Sequence, residues 1–362
     1  MQQIEMILNI GLFVVGLAFL VLGSDYLIQA ATGLAKRMGV SDLLIGLTIV
    51  AIGTSIPEIV ASIASISAGK ADLALSNIAG SSLTNMTLIV GISAIVAPLA
   101  TNHIILERDT KIMIFSFAVL GIALLDPLTP GVIAIWEAAI MLLIMLTYLT
   151  FLHWGRAECD TCYQFHIFVD FFVRLKFLTS LQGKLEPPKI VKTEIDVDDV
   201  QETFEDSKST FRDLTIVTIS VIAVAIGAQW VVSGAEYLSL TFGIGESVIG
   251  FTLIALGTSL PELTVSINSA RHGFGRLLIG NVVGSNIMNI TLGLGIGAFF
   301  FLSSYNFIVS ILMVGFLMVI SAIFFYFVQH DWKVTRKEGG VLILLYVIIQ
   351  LISIYVAQLF LV

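Results

Sequence analysis

Gly53-Thr54-Ser55-Ile56-Pro57-Glu58 lies in the middle of a hydrophobic span, and Gly257-Thr258-Ser259-Leu260-Pro261-Glu262 repeats it 204 residues later in another. An ionisable group at such depth costs about 2.5–3.5 kcal/mol on insertion scales, so each glutamate marks a functional site by default. The prolines matter chemically. Pro57 has no N–H, so the carbonyl of Gly53, four residues back, loses its helical partner; Pro261 does the same to Gly257. Each stretch gathers a carboxylate, two hydroxyls and freed backbone oxygen at one depth. Hard oxygen ligands of this kind suit Ca2+, Na+ or Mg2+ rather than soft metals.

The surrounding chain is a membrane sequence. It has 362 residues, 57% hydrophobic and only 12% charged, about half the charged share of a soluble protein. Ten spans of sufficient length and apolarity are expected, at roughly 7–34, 43–67, 74–98, 110–126, 131–152, 213–241, 247–269, 277–301, 306–328 and 340–361. The first has no basic leader or small-residue cleavage site and reads as a retained helix. Basic residues collect in cytoplasmic loops. With the N-terminus outside, 17 of the 18 Lys and Arg residues fall on the inner side, and Lys70 alone falls outside. Both termini are then external, and the long polar segment is cytoplasmic.

Adding 204 maps Gly39 to Gly243, Gly46 to Gly250, Thr48 to Thr252, Asn77 to Asn281, Gly80 to Gly284, Ser81 to Ser285, Asn85 to Asn289 and Gly91 to Gly295, without a gap. Each half holds five spans, an odd number, so the halves insert upside down to each other. The expected fold is all-α: ten transmembrane helices as two inverted five-helix repeats. Residues 1–152 form the first repeat, with its motif at 46–91, and 213–362 the second, with its motif at 250–295. Residues 153–212 form the cytoplasmic loop. Inverted repeats with interrupted helices at the midplane are a transporter architecture. Duplication kept for packing alone would preserve small and apolar residues, not Thr-Ser-x-Pro-Glu.

Ser81 and Asn85 share one helix face with Asn77; Ser285, Asn289 and Asn281 repeat this in the second half. If the halves meet about a pseudo-two-fold axis, two carboxylates cancel the charge of one Ca2+, and hydroxyls, amides and carbonyls supply the 6–8 oxygens it takes. Asn77 and Asn281 have interhelical bonding as an equally good alternative role, and the glycines read as close-packing positions.

The paired stretches, with Ala79-Gly80-Ser81-Ser82-Leu83-Thr84-Asn85 and Gly284-Ser285-Asn286-Ile287-Met288-Asn289 after them, resemble the alpha repeats of the cation/calcium antiporter superfamily, nearest to its Na+/Ca2+ exchanger branch. That resemblance implies alternating access at one central cluster of Na+ and Ca2+ sites. It implies ligands at Thr54, Ser55, Glu58, Ser81 and Asn85, and at Thr258, Ser259, Glu262, Ser285 and Asn289. The backbone carbonyls of Ala51 and Ala255 join them. Two positions depart from the pattern. Ser82 stands where an Asn with a structural role is usual, and Asn289 stands where K+-dependent relatives have Asp, which argues against K+ coupling.

The expected activity is secondary antiport of Ca2+ against Na+, independent of K+, with no cofactor, no nucleic acid and no enzymatic reaction. The chain would work as a monomer in the bilayer. H+/Ca2+ or another cation/Ca2+ exchange is the alternative. A passive channel fits the inverted halves less well, and a hydrolase would need a base that no span supplies. In the loop, residues 163–181 have helical apolar spacing, for a helix at the inner membrane surface or one covering the protein. The acids of 194–206 lack the spacing of a Ca2+-binding loop and read as a solvated linker. Cys159 and Cys162 with His166 are a weak metal signal.

Overall fold

The computed structural model describes residues 2–37, 51–101, 105–154, 164–181, 207–243, 245–271, 273–301 and 304–360. Gly39, Gly46, Thr48, Cys159, Cys162 and the acidic run at 194–206 lie outside the described residues.

A helical rod lies in each of the ten expected intervals. The first is Gln2–Arg37, the second Ala51–Ser67 and the third Ala71–Val96. The fourth joins Ile105–Thr110 to Lys111–Leu125, and the fifth is Ile135–Trp154. The sixth is Ser207–Phe242; the seventh runs from Glu246–Ile249 to Leu260–Arg271. The eighth runs from Gly275–Met288 to Gly295–Phe300, the ninth is Phe307–Gln329 and the tenth Arg336–Phe360. Among the described residues, six helices are long and apolar enough to cross a membrane, or seven if the bent seventh rod counts as one.

Small residues let the rods approach where the backbone must come close. The first and sixth rods pack antiparallel. A Cβ on Gly16 would fall 2.8 Å from the Gly227 carbonyl, and one on Gly23 3.3 Å from that of Ser220. Position 220 is the repeat mate of 16, and 227 that of 23, so the two contacts are one contact seen twice. At the centre, Gly80 of the third rod meets the seventh, where a Cβ would sit 2.5 Å from the Phe251 carbonyl.

The halves are interlocked. Gly91 in the third rod packs on Gly339 and Ile343 of the tenth; its mate Gly295 in the eighth packs on Met141 and Leu142 of the fifth. Each half's last helix therefore closes on the other half's motif. Two short clamps follow the same rule. Leu99–Ala100 pairs antiparallel with Lys333–Val334, and Val132 bridges Ser304. Thr101 N–H donates to the Trp332 carbonyl at 3.0 Å, and Tyr305 N–H to that of Gly131 at 2.6 Å. Both acceptors are left-handed, Gly131 at φ 72° and Trp332 at φ 52°; only the glycine takes this without steric cost.

A large apolar core joins the third, fourth, fifth, eighth and ninth rods, and a smaller one lies between the first and sixth rods, with Leu73, Ile249 and Ile254. The expected loop helix over 163–181 is in fact two, Phe165–Val173 and Lys176–Leu181. Leu175 breaks it with φ 52°. Asp170 bridges the break, 2.5 Å from Arg174 and 2.6 Å from Lys176. Phe168, Phe171 and Phe177 are buried, with Phe168 and Phe171 edge-on to Phe151 of the fifth rod. One face thus covers the end of the bundle, while Val173, Leu175 and Leu178 point away from it, exposed.

Candidate functional site

The two motif stretches differ in backbone. The first stays helical through Pro57. The second is interrupted at Ser259 (φ −84°, ψ 10°), and the helices on either side are bent by 48°. A π turn, Gly250–Ile254, precedes that break. Further π turns begin at Asn85 (Asn85–Ile89) and Asn289 (Asn289–Leu294). Such turns, with one residue too many for the ladder, occur at functional sites, and here two of them start on candidate ligands.

All ten candidate side chains are buried, none more than 2% exposed. They meet across the halves. Ser259 Oγ donates to Glu58 Oε1 at 2.8 Å, and its repeat mate Ser55 Oγ donates to Glu262 Oε1 at 3.4 Å. Each motif's serine thus holds the other motif's carboxylate, and the pseudo-two-fold runs between them. Thr54 Oγ1 lies 3.5 Å from Ser285 Oγ, and Ser81 Oγ donates to the Ala255 carbonyl at 3.5 Å. Thr54 and Thr258 each reach back to the carbonyl three residues earlier, Ala51 and Ala255, at 3.4 Å. Both candidate carbonyls therefore lie within the cluster.

Oxygen is left over. Glu58 Oε2, Glu262 Oε2, Asn85 Oδ1 and both polar atoms of Asn289 are buried without a hydrogen-bond partner. Buried polar groups are almost always bonded, and the unpartnered oxygens beside two carboxylates are groups that a cation can satisfy. Among the described residues no group of three or more His, Cys, Asp or Glu could hold a metal. The cluster is therefore two carboxylates among neutral oxygens, the donor set of hard cations.

The flanking asparagines divide. Asn77 Nδ2 donates to the Glu58 carbonyl at 3.3 Å and to Ser62 Oγ at 3.0 Å, so it ties the second rod to the third. Asn281 makes no such bond. Asn286, the Asn of the Gly-Ser-Asn pattern, carries no ligand assignment from the sequence. It accepts from Asn85 Nδ2 at 3.1 Å and donates to the Ser82 carbonyl at 3.5 Å. The available signal was its position: it is the repeat mate of Ser82, a site three residues before the paired Asn85 and Asn289 at which the halves differ.

The family model described as sodium/calcium exchanger protein matches residues 8–154 and 213–355, both halves on either side of the loop. The chain belongs to the sodium/calcium exchanger family. It is 34% identical to the sodium/calcium exchanger MaX1 of Methanosarcina acetivorans, over 96% of this chain and 99% of that one. It is 30% identical to the uncharacterized membrane protein MJ0091 of Methanocaldococcus jannaschii, over 95% and 97%. In structure it is similar to the sodium-calcium exchanger NCX_Mj in crystals soaked with 2.5 mM Na+ and 10 mM Sr2+, with a TM-score of 0.58, 26% identity and coverage of 95% and 98%. As a sodium/calcium exchanger family member the protein is a membrane transporter of cations, not an enzyme, and works without a cofactor.

Proposed function

We propose that the protein exchanges Ca2+ for Na+ by alternating access, without K+. The observation that carries this is the reciprocal pair Ser259–Glu58 and Ser55–Glu262, set among unpartnered buried oxygens. Two carboxylates balance one dehydrated Ca2+. Proton exchange needs carboxylates but no surplus of neutral oxygen, whereas Na+ needs several oxygens per ion. The ligands in this reading are Thr54, Ser55, Glu58, Ser81, Asn85, Thr258, Ser259, Glu262, Ser285 and Asn289, with the carbonyls of Ala51 and Ala255. All ten rods cross the bilayer as two inverted repeats, with both termini outside and the 153–212 loop in the cytoplasm. The monomer holds the whole site, since every ligand comes from one chain.

Uptake of 45Ca2+ into proteoliposomes under imposed Na+, K+ or H+ gradients tests the reading. Uptake driven by outward Na+ alone supports it. Uptake that ignores Na+ and follows a pH gradient replaces Na+ with H+, and uptake with no opposing gradient at all makes the protein a channel.

A further inference from the structure

Two amides sit at equivalent places in the cluster, Asn85 and Asn289, and the structure treats them differently. Which end of a buried amide carries oxygen follows from its partners. The chain of assignment starts at a group that can only accept, the Ser82 carbonyl. Asn286 Nδ2 donates to it at 3.5 Å, with Met113 Sδ also 3.4 Å from the same nitrogen. The oxygen of Asn286 is therefore on its other side, where it receives Asn85 Nδ2 at 3.1 Å. Asn85 must then turn its Oδ1 away from Asn286, and this oxygen is fully buried without a partner. A reversed Asn85 would set oxygen against oxygen and aim an N–H2 where a cation belongs.

The second half has no such device. The mate of Asn286 is Ser82, whose side chain is too short to reach across as an amide does, and whose hydroxyl has no partner itself. Asn289 accordingly has neither its oxygen nor its nitrogen engaged. The pseudo-two-fold is broken at this pair, three residues before the two amides.

We propose that Asn286 is a positioning residue for cation binding, locking the Asn85 amide with its oxygen toward the ion cluster, while the Asn289 amide is left free to turn. This rests on the reading of Asn85 as a ligand. Asn286 does not touch the ion; it acts through Asn85, and its contact with Met113 anchors it to the fourth rod.

The test is 45Ca2+/Ca2+ self-exchange in proteoliposomes, which needs no assumption about the coupling ion. Three variants are compared with the parent: N85A, N286S and N85A/N286S, each checked for an unchanged melting temperature. N286S copies the residue found at position 82. It is expected to raise the KM for Ca2+ about tenfold, the size of one lost hydrogen bond to a ligand, with kcat within about twofold. In the N85A background, N286S should add less than about twofold, because its only route to the ion is gone. An unchanged KM in N286S, or losses that multiply in the double variant, would overturn the positioning role while leaving Asn85 a ligand. An unchanged KM in N85A would remove both.

Discussion

Glu58 and Glu262 each give one carboxylate oxygen to the opposite motif's serine and keep the other unpartnered. A cation held between them loses half its counter-charge when either becomes an amide, and a buried uncompensated charge is costly. Glu58→Gln or Glu262→Gln is therefore expected to abolish 45Ca2+ transport while the protein still folds. A Gln variant with a parental melting curve and retained uptake would refute the assignment. The serines act on the same atoms. Ser259→Ala removes a 2.8 Å bond to a carboxylate, worth about 1.5–3 kcal/mol, so Ca2+ affinity should fall by about tenfold or more. Ser55→Ala removes a 3.4 Å bond and should cost less. Both affinities are measurable by Ca2+ titration of the purified variants.

The elements that frame the site depend on backbone that the motif does not contain. The left-handed Gly131 holds the clamp to Tyr305, and a Cβ there would sit 2.8 Å from the Tyr305 carbonyl. Gly131→Ala should cost at least about 1–2 kcal/mol from the left-handed conformation alone, seen as a lower melting temperature in detergent. The loop helices are the other such element. Phe168→Ala empties a buried site against Phe151 and should cost about 3–5 kcal/mol of docking. Faster amide exchange confined to 165–181 would register it; unchanged exchange there would mean the helices are held by other contacts. The Lys176 ammonium beside Asp170 holds that carboxyl below its ordinary value of 3.8. Its stabilising contribution is therefore complete above that value and is lost as pH falls through the lowered one. Detachment of the loop helices at neutral pH would contradict this assignment.

For the whole molecule the proposed cycle makes two predictions. Since Asn289 replaces an acid, Ca2+ exchange should proceed at full rate in K+-free medium; an absolute K+ requirement would mean another group takes that acid's place. If three Na+ enter for each Ca2+, one positive charge moves inward per cycle, and a potential acts on it at about 2.3 kcal/mol per 100 mV. Ca2+ extrusion under a Na+ gradient should then speed up when the interior is made negative. Flux that needs Na+ but ignores a clamped potential would reject the three-to-one count.

The repeat and the residues that meet in the cluster were legible in the linear chain, because each depends on local quantities: apolar length and polar residues at matching offsets. Glu58 and Glu262 stood out because acids in apolar spans are rare. The partners were not legible. That Ser259 reaches Glu58, and Ser55 Glu262, depends on two helices meeting across an axis that no spacing encodes. The exchange of last helices between halves is likewise a matter of packing, set by where Gly91 and Gly295 let backbones approach. The break in the loop helix arises at Leu175, a residue with no propensity for the left-handed backbone it adopts. Asn286 was hidden for a similar reason. The motif pattern marked an Asn at this position as structural without naming what it holds, and its place beside Asn85 exists only once the third and eighth rods cross. Tertiary contact alone decided which amide presents oxygen, because an amide's direction is fixed by the groups around it and not by its position in the chain.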